Sequence, residues 1–505
     1  MPSNYAIAAG HSVTLDAAAA VLDEGGTAVD AAIAAGMAAM VAEPVLAGLL
    51  GGGFLMVRPP DGGPRCLDFF VQTPRRKRPE GELDFRAIEA QFGTATQEFH
   101  IGAGAIATPG AAPGLSEAHA RFGRMPMREL VQPALIAARE GINVTAYQAE
   151  LGRIVAAILM ATPQAEALFC KDGAPLPDGA TWANPALADV LETYALEGPR
   201  FVTEGEVAQA LLSLTEQGGH LSAEDLRRYQ PRWREPLAVQ RREAMVHLNP
   251  APALGGALIG FGLDLLPDGW DAATLAAVFA ATSAARRESG LDDDPRAGVE
   301  RLRSEALRKR YLREVQGARA SLRGTTHISV IDRNGMGAAL TLSNGEGCGL
   351  IAPGTGIMPN NMLGEDDLVP GDWLSWDEDQ RLSSMMAPSV VDWPDGRFAM
   401  IGSGGSNRIR TALVQVIARI IDHGARLDVA IEAPRLHVEG LPATLDFEDL
   451  AGERVRETLL AIYPEGRAWP DRSMFFGGVH AAMSCPRNGL SSAGDPRRAG
   501  VGFVG

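Results

Sequence analysis

A glycine, two adjacent threonines and a histidine stand together in the stretch "RGTTHISVID", at Gly324–His327. If the peptide bond before Thr325 were cut, Thr325 would carry a free α-amine beside its own hydroxyl. An α-amine has a pKa of about 7.7–8.0, so a useful fraction is neutral at neutral pH and can accept the hydroxyl proton. This pattern is typical of an N-terminal threonine nucleophile, which needs no histidine as base.

The same hydroxyl can create that new terminus by attacking the Gly324 carbonyl in an N-to-O acyl shift, since glycine offers little steric hindrance. The alternative is an ordinary strand, because threonine is a good strand former and "TTHISVID" alternates as a half-buried strand does. The position of the Gly324–Thr325 junction in the chain favours a nucleophile over an ordinary strand. The junction separates a charged helical region at 272–318 from a strand-rich part that begins at Thr325.

Other groups that acyl transfer requires follow along the chain. A hairpin is predicted around Asn334-Gly335, and a hydroxyl on its second strand can hydrogen-bond the nucleophile. A glycine pair ahead of a predicted helix at 407–423 offers backbone N–H groups for an oxyanion, and an acidic loop can hold a substrate ammonium. Taken alone, each motif also fits a turn, a cap or a solvated loop. The candidates are Ser343, Asn344, Glu365, Asp366, Asp367, Ser383, Ser384, Gly404 and Gly405.

Composition excludes several classes of protein. The 505 residues carry a net charge of −16, which argues against a nucleic-acid binder. The four cysteines and nine histidines are scattered, so neither a disulfide scaffold nor a metal site is predicted, and no cofactor is expected. The apolar run at Ala31–Ala42 is too short to span a bilayer, and the N-terminus lacks the pattern of a signal peptide. We therefore expect a cytoplasmic protein that binds no membrane.

The element pattern begins with two helices, at 12–24 with Ser12 as its cap, and from about Thr27 to Ala42. Gly51–Gly53 then lead into the strand "FLMVR". No Lys-Ser/Thr follows these glycines and they precede a strand, so we interpret them as a site of tight backbone packing and not as a phosphate loop. Residues 115–245 are predicted to be mostly helical.

Nearly the whole chain resembles the γ-glutamyltranspeptidase family of N-terminal-nucleophile hydrolases. The resemblance is carried by ordered matches that include "GGTAVDAAIAAGMAAMVAEPVLAGLLGGGF", "LSAEDLRRYQPRWREPL", "TTHISVID", "NNMLGEDDL", "LSSMMAPS", "GSGGSNRI" and "AGDPRR". It implies a small-molecule amide substrate, no cofactor, and autocleavage between Gly324 and Thr325. The family's nucleophile falls on Thr325 and its second hydroxyl on Ser343, where serine replaces threonine.

The same resemblance carries the family's serine pair to Ser383 and Ser384, its oxyanion glycines to Gly404 and Gly405, and its substrate-binding asparagine to Asn344. Of the acids in the "GEDDL" loop, Asp367 is favoured to face the pocket, with Glu365 next. One departure concerns the arginine that binds the α-carboxylate of a γ-glutamyl group. In "LDFFVQTP" that position is Phe70, an apolar ring in place of a charged fork. The basic run Arg75–Arg78 could replace that cation only by bending back.

The implied fold is α+β, a four-layer αββα sandwich. Segment 1–324, rich in helices, and segment 325–505, which begins at the nucleophile, would fold together as one unit and stay associated after cleavage. The predicted function is amide hydrolysis or γ-glutamyl-type transfer through an acyl-Thr325 ester, which would place the protein in glutathione metabolism. Two alternatives remain: an amidohydrolase of the oxamate or cephalosporin-acylase type, and an unprocessed scaffold without activity. The sequence leaves the oligomeric state open, homo-oligomers included.

Overall fold

The computed structural model describes residues 4–92, 95–311, 325–365, 368–369, 373–440 and 443–505. Gly324, Asp366 and Asp367 therefore lie outside the described residues, as does the end of the charged region at 272–318. Thr325, Glu365 and the other candidate residues lie inside them.

The strands alternate with helices along the chain and include several short pairs. They are β1 (Ala6–Ala9), β2 (Gly52–Arg58), β3 (Arg65–Phe69), β4 (Arg86–Phe92), β5 (Ala95–Ile101), β6 (Ile142–Asn143), β7 (Cys170–Lys171), β8 (Ala174–Pro175), β9 (Thr181–Trp182), β10 (Arg232–Arg234), β11 (Leu237–Arg241), β12 (Ala244–Leu248), β13 (Thr326–Ile331), β14 (Gly337–Ser343), β15 (Ser389–Asp392), β16 (Phe398–Gly404), β17 (Leu436–Glu439), β18 (Thr444–Glu448), β19 (Arg467–Trp469), β20 (Gly478–Cys485), β21 (Gly489–Ala493) and β22 (Val501–Val504).

The α-helices are concentrated before Thr325. They are α1 (Ser12–Asp23), α2 (Ala28–Ala42), α3 (Ala111–Phe122), α4 (Met127–Leu130), α5 (Gln132–Glu140), α6 (Ala146–Ile154), α7 (Ala156–Leu159), α8 (Pro163–Phe169), α9 (Pro185–Glu197), α10 (Arg200–Thr203), α11 (Glu206–Thr215), α12 (Ala223–Arg228), α13 (Gly255–Leu265), α14 (Ala272–Glu288), α15 (Pro295–Leu302), α16 (Glu305–Tyr311), α17 (Arg408–Asp422), α18 (Leu427–Glu432) and α19 (Glu453–Ile462).

The large sheets stack face to face between helical layers. The first sheet has the strand order β10-β3-β2-β14-β13-β1-β22, and the second has the order β11-β12-β15-β16-β20-β21. Helices α1, α2, α3 and α5 share a hydrophobic core with the outer face of the first sheet. The facing sides of both sheets, with α13, α14 and α17, form a second core. The described residues therefore form the αββα sandwich that the sequence predicted.

Strands from before and after Thr325 alternate within the first sheet. β2 pairs with β14, and β1 lies between β13 and β22. The predicted helical region at 115–245 also supplies β10, and β12 borders β15 in the second sheet. The two segments therefore share their sheets, because each segment leaves strand edges that the other segment pairs.

Helix α2 supports the strand that follows the predicted hairpin turn. Thr27 caps the helix in a reciprocal box with Asp30, and every residue of α2 is buried. A β-carbon on Gly36 would lie 2.9 Å from a methyl group of Leu340, so small residues allow the helix to lie close to β14. The cap of α1 differs from the prediction, since His11, and not Ser12, accepts the N–H of Val13 through Nδ1 at 3.1 Å. None of the described helices is long and apolar enough to cross a bilayer.

Candidate active site

A pocket of about 360 Å³ lies between the sheets, at the N-terminal end of β13. Its walls are mostly apolar, with hydroxyl groups and one carboxyl among them. The lining residues are Phe70, Thr325, Ser343, Met362, Glu365, Leu368, Ser384, Met385, Met386, Ser406 and Ile409. Five residues that the sequence singled out therefore meet in one pocket, namely Thr325, Ser343, Glu365, Ser384 and Phe70.

The two adjacent threonines face opposite sides of the first sheet. The Thr326 hydroxyl donates to Oε1 of Glu43 at 2.9 Å, on the side of the helices. Because successive side chains of a strand alternate, Thr325 faces the pocket between the sheets. Thr325 is 6% exposed. Of the two hydroxyls in the sequence motif, the structure thus places that of Thr325 where a substrate can reach it.

Ser343 lies beside Thr325 because of the register of the hairpin. Thr326 pairs with Leu342 across β13 and β14, so Ser343 stands one position further along, next to Thr325. The Ser343 Oγ accepts the N–H of Gly345 at 3.1 Å. The glycines that precede β2 allow this approach, since a β-carbon on Gly51 would lie 2.3 Å from the Ser343 carbonyl oxygen. This close contact agrees with the packing role inferred for the glycine run.

The predicted oxyanion glycines lie at the end of β16, against Thr325. A β-carbon on Gly404 would lie 2.0 Å from the Thr325 carbonyl oxygen. Gly405 has φ +122°, a conformation that favours glycine. Ser406 and Ile409 line the pocket, so the N-terminal end of α17 borders it. The first N–H groups of a helix have no intrahelical acceptor, and they suit a developing negative charge.

Two ionisable residues near Thr325 have no role assigned from the sequence. Glu43 is buried, and this burial raises its pKa to about 7 against the opposing effects of hydrogen bonds from Thr326 and Thr14 and the charge of Arg498. A β-carbon on either Gly404 or Gly405 would lie 3.3 Å from a terminal nitrogen of Arg498. The only sequence signals for these residues were their positions inside family matches, "VAEPV" and "AGDPRR".

His327 stabilises the hairpin and does not face the pocket. Its Nδ1 lies 2.7 Å from the Thr341 hydroxyl, and its Nε2 lies 2.9 Å from the Ser329 hydroxyl. Burial, with a smaller contribution from His480, lowers its pKa well below the ordinary value. The imidazole is therefore neutral and holds two neighbouring strands together.

The acidic loop and the serine pair are only partly brought to the pocket. Glu365 is buried and lines it. Ser384 also lines it, and its Oγ accepts the N–H of Met386 at 3.1 Å. Ser383 instead lines a larger neighbouring cleft, and Leu368 lines both cavities. Whether Asp367 faces the pocket stays a prediction, because it lies outside the described residues.

Asn344 is not among the described residues that line the pocket. Its Nδ2 donates to the Met358 carbonyl at 3.0 Å, and its amide lies against Gly48, where a β-carbon would approach Oδ1 to 2.8 Å. The alternation of β14 explains this position, since neighbours of Ser343 face away from it. A substrate-binding role for Asn344 stays a prediction that this geometry does not support.

Phe70 forms an apolar wall of the pocket. It is 2% exposed and stacks on Phe54, with ring centroids 5.6 Å apart. Among the described residues that line the pocket there is no lysine, arginine or histidine. A substrate carboxylate would therefore find no side-chain cation within the described walls.

The basic run after Phe70 makes its contacts elsewhere. Arg75 pairs with Asp379 at 2.8 Å, and the Lys77 ammonium donates to the Leu374 carbonyl at 2.8 Å. Arg78 donates through Nε to the Gly219 carbonyl at 2.9 Å. Arg76 is exposed. These contacts tie the run to neighbouring loops, so it does not replace the missing cation.

A threonine at the start of a central strand, facing a pocket between two sheets that helices flank, defines an N-terminal-nucleophile hydrolase. Comparison with known proteins gives the family. The γ-glutamyltranspeptidase family model matches residues 15–504, and the chain belongs to that family.

Curated relatives with two different names align over almost the full chain. The acylase ACY 1 proenzyme of Pseudomonas sp. (strain V22) is 32% identical over 513 residues, which cover 96% of this chain and 90% of that protein. The glutathione hydrolase proenzyme of Escherichia coli (strain K12) is 29% identical over 516 residues, with 94% and 87% covered. The chain is therefore an enzyme of the hydrolase and transferase class to which this family belongs.

Solved structures share the fold. A cephalosporin acylase from Bacillus halodurans superposes with a TM-score of 0.83 at 21% identity, covering 99% of this chain and 96% of that one. The γ-glutamyltranspeptidase of Helicobacter pylori gives a TM-score of 0.53 at 22% identity, covering 62% and 91%. At these identities the likeness concerns the fold alone.

Proposed function

We propose that this protein is an autoprocessing amidase whose nucleophile is Thr325 and whose preferred acyl group has an apolar end. The observation that carries this proposal is the pocket itself, in which Thr325 and Ser343 face walls formed by Phe70, Met385 and Met386. The names of the aligned acylase and glutathione hydrolase relatives, both proenzymes, support the processing step.

In maturation, the Thr325 Oγ attacks the Gly324 carbonyl carbon and the peptide C–N bond breaks. The nitrogen gains a proton and becomes the α-amine of Thr325, while Gly324 is held as an ester. Water then hydrolyses the ester and releases segment 1–324 from segment 325–505. The shared strand pairing of the first sheet supports association of the two products.

In catalysis, the α-amine of Thr325 accepts the proton of the Oγ as this oxygen attacks the substrate amide. The negative charge develops beside Gly404 and Gly405, where backbone N–H groups and the N-terminal end of α17 stabilise it. The α-ammonium returns the proton to the leaving amine, and the acyl group remains as an ester on Thr325. Attack by water completes hydrolysis, and attack by a second amine completes transfer.

The lining favours an acyl group without a carboxylate close to the reacting carbonyl. Burying a carboxylate away from water without a cation costs several kcal/mol. The Glu365 carboxyl lies in the same pocket, and in its ionised form it would further disfavour an anionic acyl group. The apolar walls instead gain from covering a hydrocarbon or aromatic end.

A γ-glutamyl donor is the second candidate, and one observation favours it. A γ-glutamyl group carries an ammonium as well as a carboxylate, and the Glu365 carboxyl in the pocket is suited to hold that ammonium. Under this alternative the enzyme would act on glutathione or related amides, with the carboxylate bound by a group outside the described walls.

Processing is tested by mass spectrometry of purified protein. The wild type should yield two fragments cut before Thr325, and Thr325→Ala should remain one chain without turnover. Thr326→Val supplies the matched control, since its hydroxyl faces the opposite side of the sheet, and it should still be cut. A wild-type chain that stays intact yet turns over amides would refute the proposed nucleophile.

The acyl preference is tested by steady-state kinetics with anilides of one leaving group and different acyl parts. We expect kcat/KM to be higher for hexanoyl and phenylacetyl p-nitroanilides than for γ-glutamyl p-nitroanilide. The opposite order would favour the second candidate and leave the role of Thr325 intact.

A further inference from the structure

A second cavity, here called the rear pocket, lies on the side of the first sheet that faces away from the candidate active site. The space between its walls is about 570 Å³, a figure that includes solvent at its open side. Its walls come from the loop after α2, from β6, from α6 and from α8 and β9. They include Leu46, Ile142, Leu151, Phe169 and Trp182.

The walls of the rear pocket are mostly apolar. The rings of Phe169 and Trp182 stack with centroids 5.9 Å apart and an interplanar angle of 10°. The indole N–H of Trp182 donates to the Leu168 carbonyl at 2.9 Å, so this polar atom already has its acceptor. This ring pair would therefore stabilise an aromatic or aliphatic group by apolar contact and not by a hydrogen bond from the indole.

Glu43 gives this apolar pocket one carboxyl group. Among the described residues that line the pocket there is no other acid and no lysine, arginine or histidine. Thr326 and Thr14 donate to its two oxygens, at 2.9 and 3.3 Å, and each carboxylate oxygen can accept a further hydrogen bond. The charged and titratable groups that act on Glu43 are Arg498, from the C-terminal turn, and Tyr147, from α6.

We propose that the rear pocket binds a small hydrophobic amine, with its apolar body between the aromatic and leucine walls and its ammonium at Glu43. Thr326, Thr14 and Arg498 compensate only in part for the burial of a charged Glu43, and an ammonium supplies a further opposite charge and further hydrogen-bond donors. A ligand with an anionic head would meet like charge at the same place. The class of ligand thus follows from one acid set in an otherwise apolar cavity.

Such a ligand would act on the strand that carries the nucleophile. Glu43 hydrogen-bonds Thr326, the neighbour of Thr325, and an ammonium would hold Glu43 in its ionised form. An ionised carboxylate is the stronger acceptor for the Thr326 hydroxyl. The rear pocket is therefore placed to fix the start of β13 when it is filled.

The test is calorimetric titration of the purified wild-type protein, without acyl donor, with three probes that share one ring. The probes are 2-phenylethylamine, 2-phenylethanol and 3-phenylpropanoate. We expect the amine to bind at least about tenfold more tightly than the alcohol, a difference of about 1.4 kcal/mol, and the carboxylate to bind worst. The affinity of the amine should rise between about pH 6 and pH 8, as Glu43 ionises.

Gly152, in the last turn of α6, allows the pocket to be filled with little risk to folding. A β-carbon there would lie 3.5 Å from Pro175 and 3.7 Å from Leu159, which is ordinary contact, and leucine is a better helix former than glycine. Gly152→Leu should weaken binding of the amine by at least tenfold, whereas Gly152→Ala should retain it. Glu43→Gln should abolish the preference for amine over alcohol.

Three outcomes would each overturn the proposal. They are no saturable binding of 2-phenylethylamine, equal affinity for the amine, the alcohol and the carboxylate, and unchanged binding of the amine in Gly152→Leu. The last result would place the amine in the candidate active site, near Glu365. Because the readout is binding without acyl donor, these outcomes are independent of whether Thr325 is the nucleophile.

Discussion

The carbonyl of Thr325 lies directly against Gly404, so closely that a β-carbon on Gly404 would stand 2.0 Å from the carbonyl oxygen. Thr325 precedes β13 of the first sheet, and Gly404 ends β16 of the second. This contact therefore sets the distance between the two sheets at Thr325. It also brings the N-terminal end of α17 to the pocket.

Gly404→Ala should block maturation and reduce turnover. The added methyl group cannot coexist with the Thr325 carbonyl, so the start of β13 must move away from the oxyanion donors. Loss of one such donor costs about 10²–10³-fold in kcat. Mass spectrometry and anilide hydrolysis would measure both effects. Gly81→Ala is the control, because a β-carbon there has open space. Normal maturation and turnover in Gly404→Ala would show that the glycine forms only a turn.

Substitution of the two adjacent serines should affect substrate binding at Ser384 and not at Ser383. Ser384 lines the candidate active-site pocket, whereas Ser383 lines the larger neighbouring cleft. Ser384→Ala should raise KM about three- to tenfold, as expected for one lost hydrogen bond of about 1 kcal/mol. Ser383→Ala should change it less than twofold. A larger effect from Ser383→Ala would mean that the substrate lies mainly in the cleft.

Glu43→Gln should change how stability depends on pH. Burial raises the pKa of Glu43 from 4.5 to about 7, so its contribution to the free energy of unfolding is full below pH 4.5. That contribution is lost as pH rises through about 7, up to about 3 kcal/mol if the whole shift is expressed. Glutamine does not titrate and keeps an acceptor for Thr326. The Tm of Glu43→Gln minus the Tm of the wild type should therefore be larger at pH 8 than at pH 5.

Thermal unfolding of both proteins across that range measures this difference, since other groups titrate alike in each. Glu140→Gln, at an exposed position, is the control variant. A Tm difference that is constant between pH 5 and pH 8 would show that Glu43 stays charged in the folded protein.

Phe70→Arg should shift the preference of the enzyme toward γ-glutamyl donors. The guanidinium would supply the cation that the described walls lack, and a carboxylate held by it should gain at least about tenfold in kcat/KM. Hydrolysis of hexanoyl p-nitroanilide should fall in the same variant. Phe70→Leu keeps the wall apolar and should keep the wild-type order. Efficient γ-glutamyl hydrolysis by the wild type would mean that the carboxylate binds elsewhere.

The sequence by itself determined the chemistry-bearing motif and the order of elements. Adjacent hydroxyls at Thr325 and Thr326, the turn at Asn334-Gly335 and the glycine pair before α17 are local patterns. Their conformations depend mainly on nearby residues, so the hairpin and the helix at Arg408–Asp422 fell where predicted. The family matches extended these local predictions to the αββα fold.

Only the tertiary structure decided which side chains meet. Strand alternation turned Asn344 away from Ser343, and chain packing placed Ser384, but not Ser383, in the pocket. Glu43 accepts a hydrogen bond from Thr326, and Arg498 lies against Gly404 and Gly405, through long-range contacts that no sequence spacing encodes. Burial and long-range contact are properties of the assembled sheets, and for that reason the raised pKa of Glu43 emerged only from the fold, whereas the apolar ring at Phe70 was already predicted from the sequence.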